Sequence, residues 1–147
     1  MKTLFVLNDP PYGTERSYNG FRLARALLKH EGNEIHVFLL GDAALCGKAG
    51  QKVPQGYYNI EFFAQSILRG GGEVGACGVC LEARGIKDEE LIPGVQTVRL
   101  SILQNGRNAR IKFWYFSDVK NAFSRHTPAS LRRLALGTDS NKGTEKN

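Results

Sequence analysis

Residues 2–17 read K-T-L-F-V-L-N-D-P-P-Y-G-T-E-R-S, and this stretch decides the architecture of the chain. Its first part is a short apolar run that ends at turn residues, which is typical of a buried strand. Two adjacent prolines then fix φ and remove two backbone donors, so the strand must pass into a loop. Thr14 is placed to cap a helix, with Glu15 in its first turn. The stretch therefore predicts a strand, a loop and a helix in succession.

The same alternation continues along the first hundred residues. The predicted strands are short runs bounded by turn residues, at residues 2–8, 34–40, 73–77 and 95–100. The predicted helices and helical turns lie between them, at residues 14–32, 43–49, 59–70 and 88–91, with Asn59 as the cap of the third. Strands that alternate with helices, without hairpin signals, predict a single α/β domain with a parallel sheet and helices on both faces.

The composition separates an ordinary globular part from a basic tail. The chain has 147 residues, of which 41% are hydrophobic, and this suits one domain with its own core. The net charge of +6 belongs to residues 101–147, since residues 1–100 hold eleven basic and eleven acidic residues. A basic tail can indicate a nucleic-acid partner. No other feature of the sequence supports such a partner, so we do not expect one.

The apolar runs and the cysteine count both favour the cytoplasm. No apolar run is long enough to cross a membrane. The N-terminal run is too short for a signal peptide and lacks a small-residue cleavage site. Cys46, Cys77 and Cys80 are an odd number of cysteines, which disfavours a disulfide framework. We expect a cytoplasmic protein without a membrane partner, in which Cys46 fills the core or a subunit interface.

Cys77 and Cys80 form a C-x-x-C pair where the third predicted strand ends. Ligand sites in open α/β sheets lie at the carboxyl ends of the strands, so Cys77 is expected to face a crevice rather than the core. Backbone N–H groups of the next turn and Arg84 are placed to lower the pKa of such a thiol, and the thiolate is the reactive form. The alternative is that both cysteines only fill space.

A metal site is not favoured by the spacing. Zinc takes four ligands, and the sequence has no second C-x-x-C pair. His30 ends a predicted helix, His36 lies in a predicted strand and His126 lies in the tail, so none is an obvious partner. We expect neither a metal nor a cofactor.

Several motifs together resemble the DsrE/DsrF-like family of small sulfur-relay proteins, and within it the YchN-type members. These motifs are N-D-P-P-Y-G-T-E-R-S, F-R-L-A-R-A-L, F-L-L-G-D-A, G-Q-K, G-Y-Y-N-I, C-G-V-C-L-E-A-R-G-I and L-I-P-G-V. They extend from residue 2 to about residue 103. The resemblance implies a flavodoxin-like α/β fold and assembly into trimers or hexamers.

The resemblance also implies a chemical role for the cysteines. In the sulfur-relay members, a cysteine seven residues before the Arg of an R-G motif takes up a sulfane sulfur as a persulfide, and that position is Cys77 when counted from Arg84. Its thiolate would attack a donor persulfide and later yield the sulfur to an acceptor thiol, so the implied partners are donor and acceptor proteins. Cys80 would resolve the persulfide as a disulfide or stay passive.

Other candidates surround the thiols, each with a structural alternative. Arg84 holds the thiolate, or it pairs with Glu82 or Asp88. The loop after the first strand shapes the pocket or merely forms a turn, and its candidates are Asn8, Tyr12 and Gly13.

Two other functions stay open at this point. One is a thiol-disulfide redox or sensor module that uses Cys77 and Cys80. The other is a non-enzymatic module in which the loop after the first strand binds a nucleotide or another anion. This loop has fewer glycines than a phosphate-binding loop uses. The anion-binding function is therefore ranked below the thiol-disulfide function.

The resemblance stops near Leu103, and residues 104–147 form an atypical basic tail. Family members continue with a pattern like A-E-W-T-x-x-A-D-K-V-L-V-F, whereas residues 104–116 read Q-N-G-R-N-A-R-I-K-F-W-Y-F. Back-translation of these residues and a shift of two bases permit E-W-T-K-C-A-D-K-V-L-V-F. We hypothesise that the tail is an out-of-frame extension of a domain of residues 1–103; an uninterrupted frame in genomic DNA across codons 98–118 would refute this. Residues 111–116 are β-prone and can still supply an edge strand.

Overall fold

The computed structural model describes residues 1–99 and, for the backbone, residues 111–116. Five strands form one sheet in the order β4-β3-β2-β1-β5, and every neighbouring pair is parallel. The strands are β1 Lys2–Leu7, β2 Glu34–Leu39, β3 Glu73–Cys77, β4 Gln96–Val98 and β5 Ile111–Phe116. The predicted α/β class and parallel sheet are confirmed.

The helices lie between the strands, as the sequence predicts. They are α1 Arg16–Leu28, a 3₁₀ helix Gly41–Gly47, α2 Ile60–Arg69, α3 Gly78–Glu82 and a 3₁₀ turn Asp88–Glu90. The predicted cap of α2 is confirmed, because the side chain of Asn59 accepts a hydrogen bond of 3.3 Å from the Phe62 amide.

The predicted cap of α1 is wrong. The helix begins at Arg16, after Glu15 in the N-cap position, and no side chain caps it. Tertiary contacts hold the helix start instead: Ser17 Oγ donates to the Asp9 carbonyl at 2.5 Å, and Arg16 Nη1 lies 3.2 Å from Asp9 Oδ1. The proline loop therefore anchors the first turn of α1.

The two faces of the sheet carry separate apolar clusters. Along β1, Phe5 and Leu7 lie in the main core, whereas Leu4 and Val6 lie in the second cluster, as the period of two requires. The main core also holds side chains of α1 and α2, which are Phe21, Ala24, Ile60, Ala64 and Ile67. Of the described helices, α1 and α2 thus pack on the same face.

The strand from the tail joins the sheet. Residues 111–116 pair with Lys2–Leu7 in parallel, so the edge strand that the sequence allowed is present. The predicted domain boundary near residue 103 and the proposed frameshift fall on residues 100–110, which lie outside the described residues. Within the described part of the chain, the longest helices are too short and too polar to span a membrane.

Candidate functional site

The ends of three neighbouring strands meet at one edge of the sheet. Near the ends of β1, β2 and β3, the residues Leu7, Leu39 and Ala76 are paired in register. Asn8, Leu40 and Cys77 follow these residues directly and therefore lie side by side at the carboxyl edge. The first turn of the 3₁₀ helix, Gly41 and Asp42, starts at the same place.

The structure brings the two predicted cysteines together. Cys77 is the last residue of β3 and the N-cap residue of α3. Cys80 lies within α3, which is five residues long. Both are free thiols, and Cys80 packs against the apolar cluster that contains Cys77. A helix stands where the sequence predicted a turn, and it places Cys80 about one helical turn after Cys77.

Cys77 itself is not open to solvent. Only 5% of its surface is exposed, and it packs with Leu4, Val6 and Phe38 on the second face of the sheet. The expectation that Cys77 faces a crevice is therefore wrong. Alternation along β3 puts Cys77 on the face opposite to Ala76, under this apolar cluster. Cys80 is partly exposed, so solvent reaches the thiol pair from its side.

The end of β2 fixes the position of Cys80. The Gly41 amide donates a hydrogen bond of 3.2 Å to Cys80 Sγ. Gly41 has a φ of 60°, in the left-handed region that favours glycine, and this turn presents its amide to the thiol. The Asn8 carbonyl accepts a hydrogen bond of 3.3 Å from Ala43 and holds the same turn. Asn8 also has a buried side-chain nitrogen without a partner in the described part of the chain.

Arg84 ties α3 to the end of β2. Its Nη2 lies 2.5 Å from Asp42 Oδ1, and its Nη1 donates to the Cys80 carbonyl at 2.9 Å. The ion partner is therefore Asp42 rather than Glu82 or Asp88. Arg84 stands four residues after Cys80, which lets its side chain reach back along the helix. The described hydrogen bonds of Arg84 run to Asp42 and to the backbone of Cys80, so we treat it as a positioning residue.

Burial decides the protonation of Cys80. Loss of hydration raises the pKa of the Cys80 thiol, and its interaction with the neighbouring Cys77 raises this pKa further. The Gly41 amide and the charge of Arg84 lower the pKa by less. Cys80 therefore stays a protonated donor to a higher pH than an ordinary thiol.

The clamp formed by Asp42 and Arg84 leads to a testable prediction. Asp42→Asn is expected to raise the alkylation rate of Cys80 by about fivefold, the equivalent of about 1 kcal/mol of local opening. The global free energy of unfolding should change by less than about 1 kcal/mol, since Asp42 is 62% exposed. Iodoacetamide labelling followed by peptide mass spectrometry measures the rate.

A matched control for this variant is Glu34→Gln. Glu34 is also exposed and forms an ion pair of 2.8 Å with Lys2 at the start of the strands, away from the thiols. This control should leave labelling of Cys80 unchanged. Equal labelling rates in wild type and Asp42→Asn would show that the clamp does not position Cys80.

Tyr12 and Gly13 line a different space. They lie on a pocket of about 460 Å³ whose remaining lining is Glu15, Lys52, Val53, Pro54, Tyr57 and Tyr58. None of the lining residues is a cysteine. The structure thus groups Asn8, Cys77, Cys80 and Arg84 at one point of the carboxyl edge and places Tyr12 and Gly13 in a second group.

The third cysteine belongs to the core. Cys46 is fully buried in the main apolar cluster, with its sulfur 3.9 Å from the Asp9 carbonyl. Burial raises the pKa of its thiol to about 12. The expectation of a core residue is confirmed, and Cys46 offers no reactive thiolate near neutral pH.

Comparison with known proteins identifies the family. The DsrE/DsrF-like family model matches residues 1–108. The chain belongs to the DsrE/DsrF-like family. Protein YchN of Escherichia coli is 38% identical over 96 residues, which are 65% of this chain and 81% of that protein. The uncharacterized protein MK0008 of Methanopyrus kandleri is 39% identical over 100 residues, 68% of this chain and 81% of that protein.

Solved structures show the same fold. The crystal structure of the E. coli ychN protein matches with a TM-score of 0.70 and 34% identity, over 76% of this chain and 97% of that chain. MTH1491 of Methanobacterium thermoautotrophicum, a protein of unknown function, matches with a TM-score of 0.64 over 78% of this chain and 97% of that chain. Its identity of 15% supports the fold alone. The YchN-type resemblance seen in the motifs is confirmed.

The burial of Cys46 predicts how this family member responds to alkali. Its pKa is raised from 9.0 to about 12, so between these values the unfolded chain loses a proton that the folded chain keeps. Its contribution to stability is complete below about pH 9 and is lost as the pH rises toward 12. The slope from this one group is about 1.4 kcal/mol per pH unit.

Urea unfolding at several pH values between about 8.5 and 11 measures this slope. The Cys46→Ala variant should be less stable at neutral pH but should lose stability less steeply with alkali. Tyr12 and Tyr58, whose pKa values are also raised by burial, remain in both proteins and cancel in the comparison. Identical slopes in the two proteins would contradict the assigned protonation of Cys46.

Proposed function

We propose that this protein is a sulfur-relay protein that carries a sulfane sulfur as a persulfide on Cys77. The observation that carries the proposal is the placement of two free thiols, with Cys77 at the carboxyl end of β3 and Cys80 in the helix that follows, where the Gly41 amide donates to Cys80 Sγ. Membership of the DsrE/DsrF-like family supports the same reading. The donor and acceptor would be other proteins, and the reducing cytoplasm would keep the thiols free.

The transfer needs no external oxidant. The Cys77 thiolate attacks the outer sulfur of a donor persulfide, a new S–S bond forms, and the donor S–S bond breaks. The electron pair of the broken bond leaves with the donor thiolate, which then takes up a proton. An acceptor thiolate repeats this displacement on the outer sulfur and restores Cys77. In each step the persulfide that gives up its outer sulfur becomes a thiol, and the thiol that takes the sulfur becomes a persulfide. No external oxidant or reductant is consumed.

Cys80 and Arg84 have supporting roles in this proposal. Because the thiol of Cys80 stays protonated, it would donate a hydrogen bond to the Cys77 sulfur and stabilise negative charge there. Arg84, held by Asp42, fixes the backbone of Cys80 in the position that this hydrogen bond requires.

The burial of Cys77 suits a carrier. A persulfide beside Leu4, Val6 and Phe38 is shielded on that side from bulk water, and reagents and partners reach it from the partly exposed side of Cys80. Val79, between the two cysteines in the chain, is 72% exposed and gives such a partner an apolar contact beside the open side of the pair. A trimeric or hexameric assembly, as the family resemblance implies, is part of this proposal, and light scattering on the purified chain tests it.

Mass spectrometry tests the proposed uptake of sulfur. The reduced protein is incubated with glutathione persulfide and its intact mass is measured. The proposal predicts a gain of about 32 Da, one sulfur atom, that dithiothreitol removes. Wild-type protein without this adduct would contradict the proposal.

A second candidate is a thiol-disulfide module that uses the same two cysteines. The position of the two free thiols favours it, because Cys77 and Cys80 lie about one helical turn apart at the start of α3. Its signature is the loss of two free thiols under mild oxidation without a sulfur adduct. In a persulfide carrier, Cys80 could attack the inner sulfur of Cys77–S–SH, giving the disulfide and releasing H₂S.

A further inference from the structure

A second site lies in the pocket of about 460 Å³ between the loop after β1 and the segment that leads into α2. Its volume falls in the range of small-ligand pockets. Loops at the carboxyl ends of strands hold the ligands of open α/β sheets, and the pocket belongs to the loops that follow β1 and β2. The pocket therefore lies among the loops at the carboxyl edge of the sheet.

The walls of this pocket are fixed before any ligand arrives. The Tyr12 hydroxyl donates to Gln51 Oε1 at 2.6 Å and accepts from the Ile60 amide at 3.3 Å. Gln51 Nε2 donates to the Lys48 carbonyl at 2.9 Å, and the Gln51 carbonyl accepts from Asn59 at 3.1 Å. This network joins the loop after β1 to the start of α2. A preformed pocket loses little conformational entropy on binding.

One aromatic ring in the lining is unused. Tyr58 stacks between Tyr12, at 5.7 Å between ring centroids, and Tyr18, at 4.1 Å. Tyr57 is 71% exposed, and no ring or cation packs on it in the part of the chain that the structure describes. A large exposed ring beside a rigid pocket offers a stacking surface for a flat ligand.

Two charges in the lining are also unused. The side chains of Lys52 and Glu15 form no hydrogen bond or ion pair with any described residue. Lys52 supplies an ammonium group for an anion such as phosphate. Glu15 supplies a carboxylate that accepts hydrogen bonds from N–H groups. A ligand with both an anionic group and N–H donors matches the pair.

We propose that this pocket binds a purine mononucleotide, whose base stacks on Tyr57, whose phosphate pairs with Lys52 and whose N–H donors face Glu15. This function is separate from the sulfur relay, because the lining shares no residue with the thiol pair. It assigns to Tyr12 and Gly13 a role in shaping a nucleotide site rather than the surroundings of Cys77.

Calorimetric titration of the full chain with AMP and GMP tests the proposal. At least one of the two is expected to bind, adenosine or guanosine more weakly, and ribose 5-phosphate more weakly still. Tyr57→Ala should weaken binding of the nucleotide by about tenfold, since one base stacks on this ring. Lys52→Ala should weaken binding of the nucleotide but leave binding of the nucleoside unchanged.

Matched controls are Phe62→Ala and Lys87→Ala, an exposed ring and an exposed lysine outside the pocket. Both should bind the nucleotide as wild type does. Absence of binding at millimolar AMP and GMP would overturn the proposal, as would unchanged binding by Tyr57→Ala or equal binding of ribose 5-phosphate. Persulfide uptake by Tyr57→Ala should equal that of wild type, so failure here is distinguishable from failure of the relay.

Discussion

Replacing Cys77 by Ser is expected to abolish the sulfur adduct. A hydroxyl group cannot hold a sulfane sulfur as a persulfide, and serine is not ionised at neutral pH. Cys46 cannot substitute, because it is fully buried and its pKa is raised to about 12. The rate of adduct formation should therefore fall by more than about a hundredfold. Any remaining adduct would form on Cys80. Intact-mass measurement after a timed incubation with glutathione persulfide gives the rate.

Two variants of Cys80 test, in the same assay, whether Cys80 acts as a hydrogen-bond donor to Cys77 or as the sulfur-accepting nucleophile itself. Cys80→Ala removes the hydrogen bond to Cys77 and is expected to slow uptake by about tenfold, since hydrogen bonds to charged groups contribute about 1.5–3 kcal/mol. Cys80→Ser keeps an O–H donor and should slow uptake less. Adduct formation that survives in Cys77→Ser and disappears in Cys80→Ser would exchange the roles of the two cysteines.

The largest expected effect on stability comes from the main core. Phe21 of α1 is fully buried in the cluster that joins α1 and α2 to the sheet. Phe21→Ala should lower the free energy of unfolding by about 3–5 kcal/mol, because the lost apolar contacts leave a cavity. Urea unfolding monitored by circular dichroism measures this change.

The control for this variant is Phe62→Ala on α2. Phe62 is 48% exposed and packs on Phe63 at 5.6 Å and on Arg25 at 5.3 Å. Its loss should cost about 1 kcal/mol or less, as surface substitutions usually do. Equal losses in the two variants would mean that the core does not lie between α1, α2 and the sheet.

Local signals explain the parts of the fold that the sequence predicts. β3 occupies residues 73–77 as expected, because a glycine run precedes it and small residues follow it. The cap of α2 is likewise local, since Asn59 bonds an amide three residues away. The start of α1 is different, because it depends on contacts of Ser17 and Arg16 with Asp9 in the preceding loop. The helix-capping propensity of Thr14 says nothing about these contacts, so it does not locate the start of α1.

The site was predictable only in its local part. Cys77 and Cys80 are neighbours in sequence, so their pairing follows from the C-x-x-C spacing. Asp42 and Arg84 are separated by 42 positions, and they meet only because β2 lies beside β3. The sequence signal for Asp42 is the Gly-Asp step directly after a predicted strand, and nothing local in the sequence connects this step to the thiols.

The burial of Cys77 and the second pocket both depend on long-range packing. Which face of β3 holds Cys77 is set by the alternation of side chains and by the apolar neighbours on β1 and β2. Tyr12 lies away from the thiols because its hydroxyl is held by Gln51, 39 residues further along the chain. Asn8 lies near the thiols and Tyr12 lines the pocket, although both belong to the segment that follows β1. Their positions in the sequence alone therefore do not show which of the two sites each residue joins.

Locating the added sulfur in wild-type protein tests the central claim most directly. Trypsin releases residues 70–84 as one peptide, which contains both Cys77 and Cys80 and no other cysteine. After blocking with iodoacetamide, fragment ions that cleave between the two cysteines assign the additional mass of about 32 Da. We predict that it lies on Cys77; an unmodified Cys77, with the sulfur on Cys80 or absent, would contradict the account.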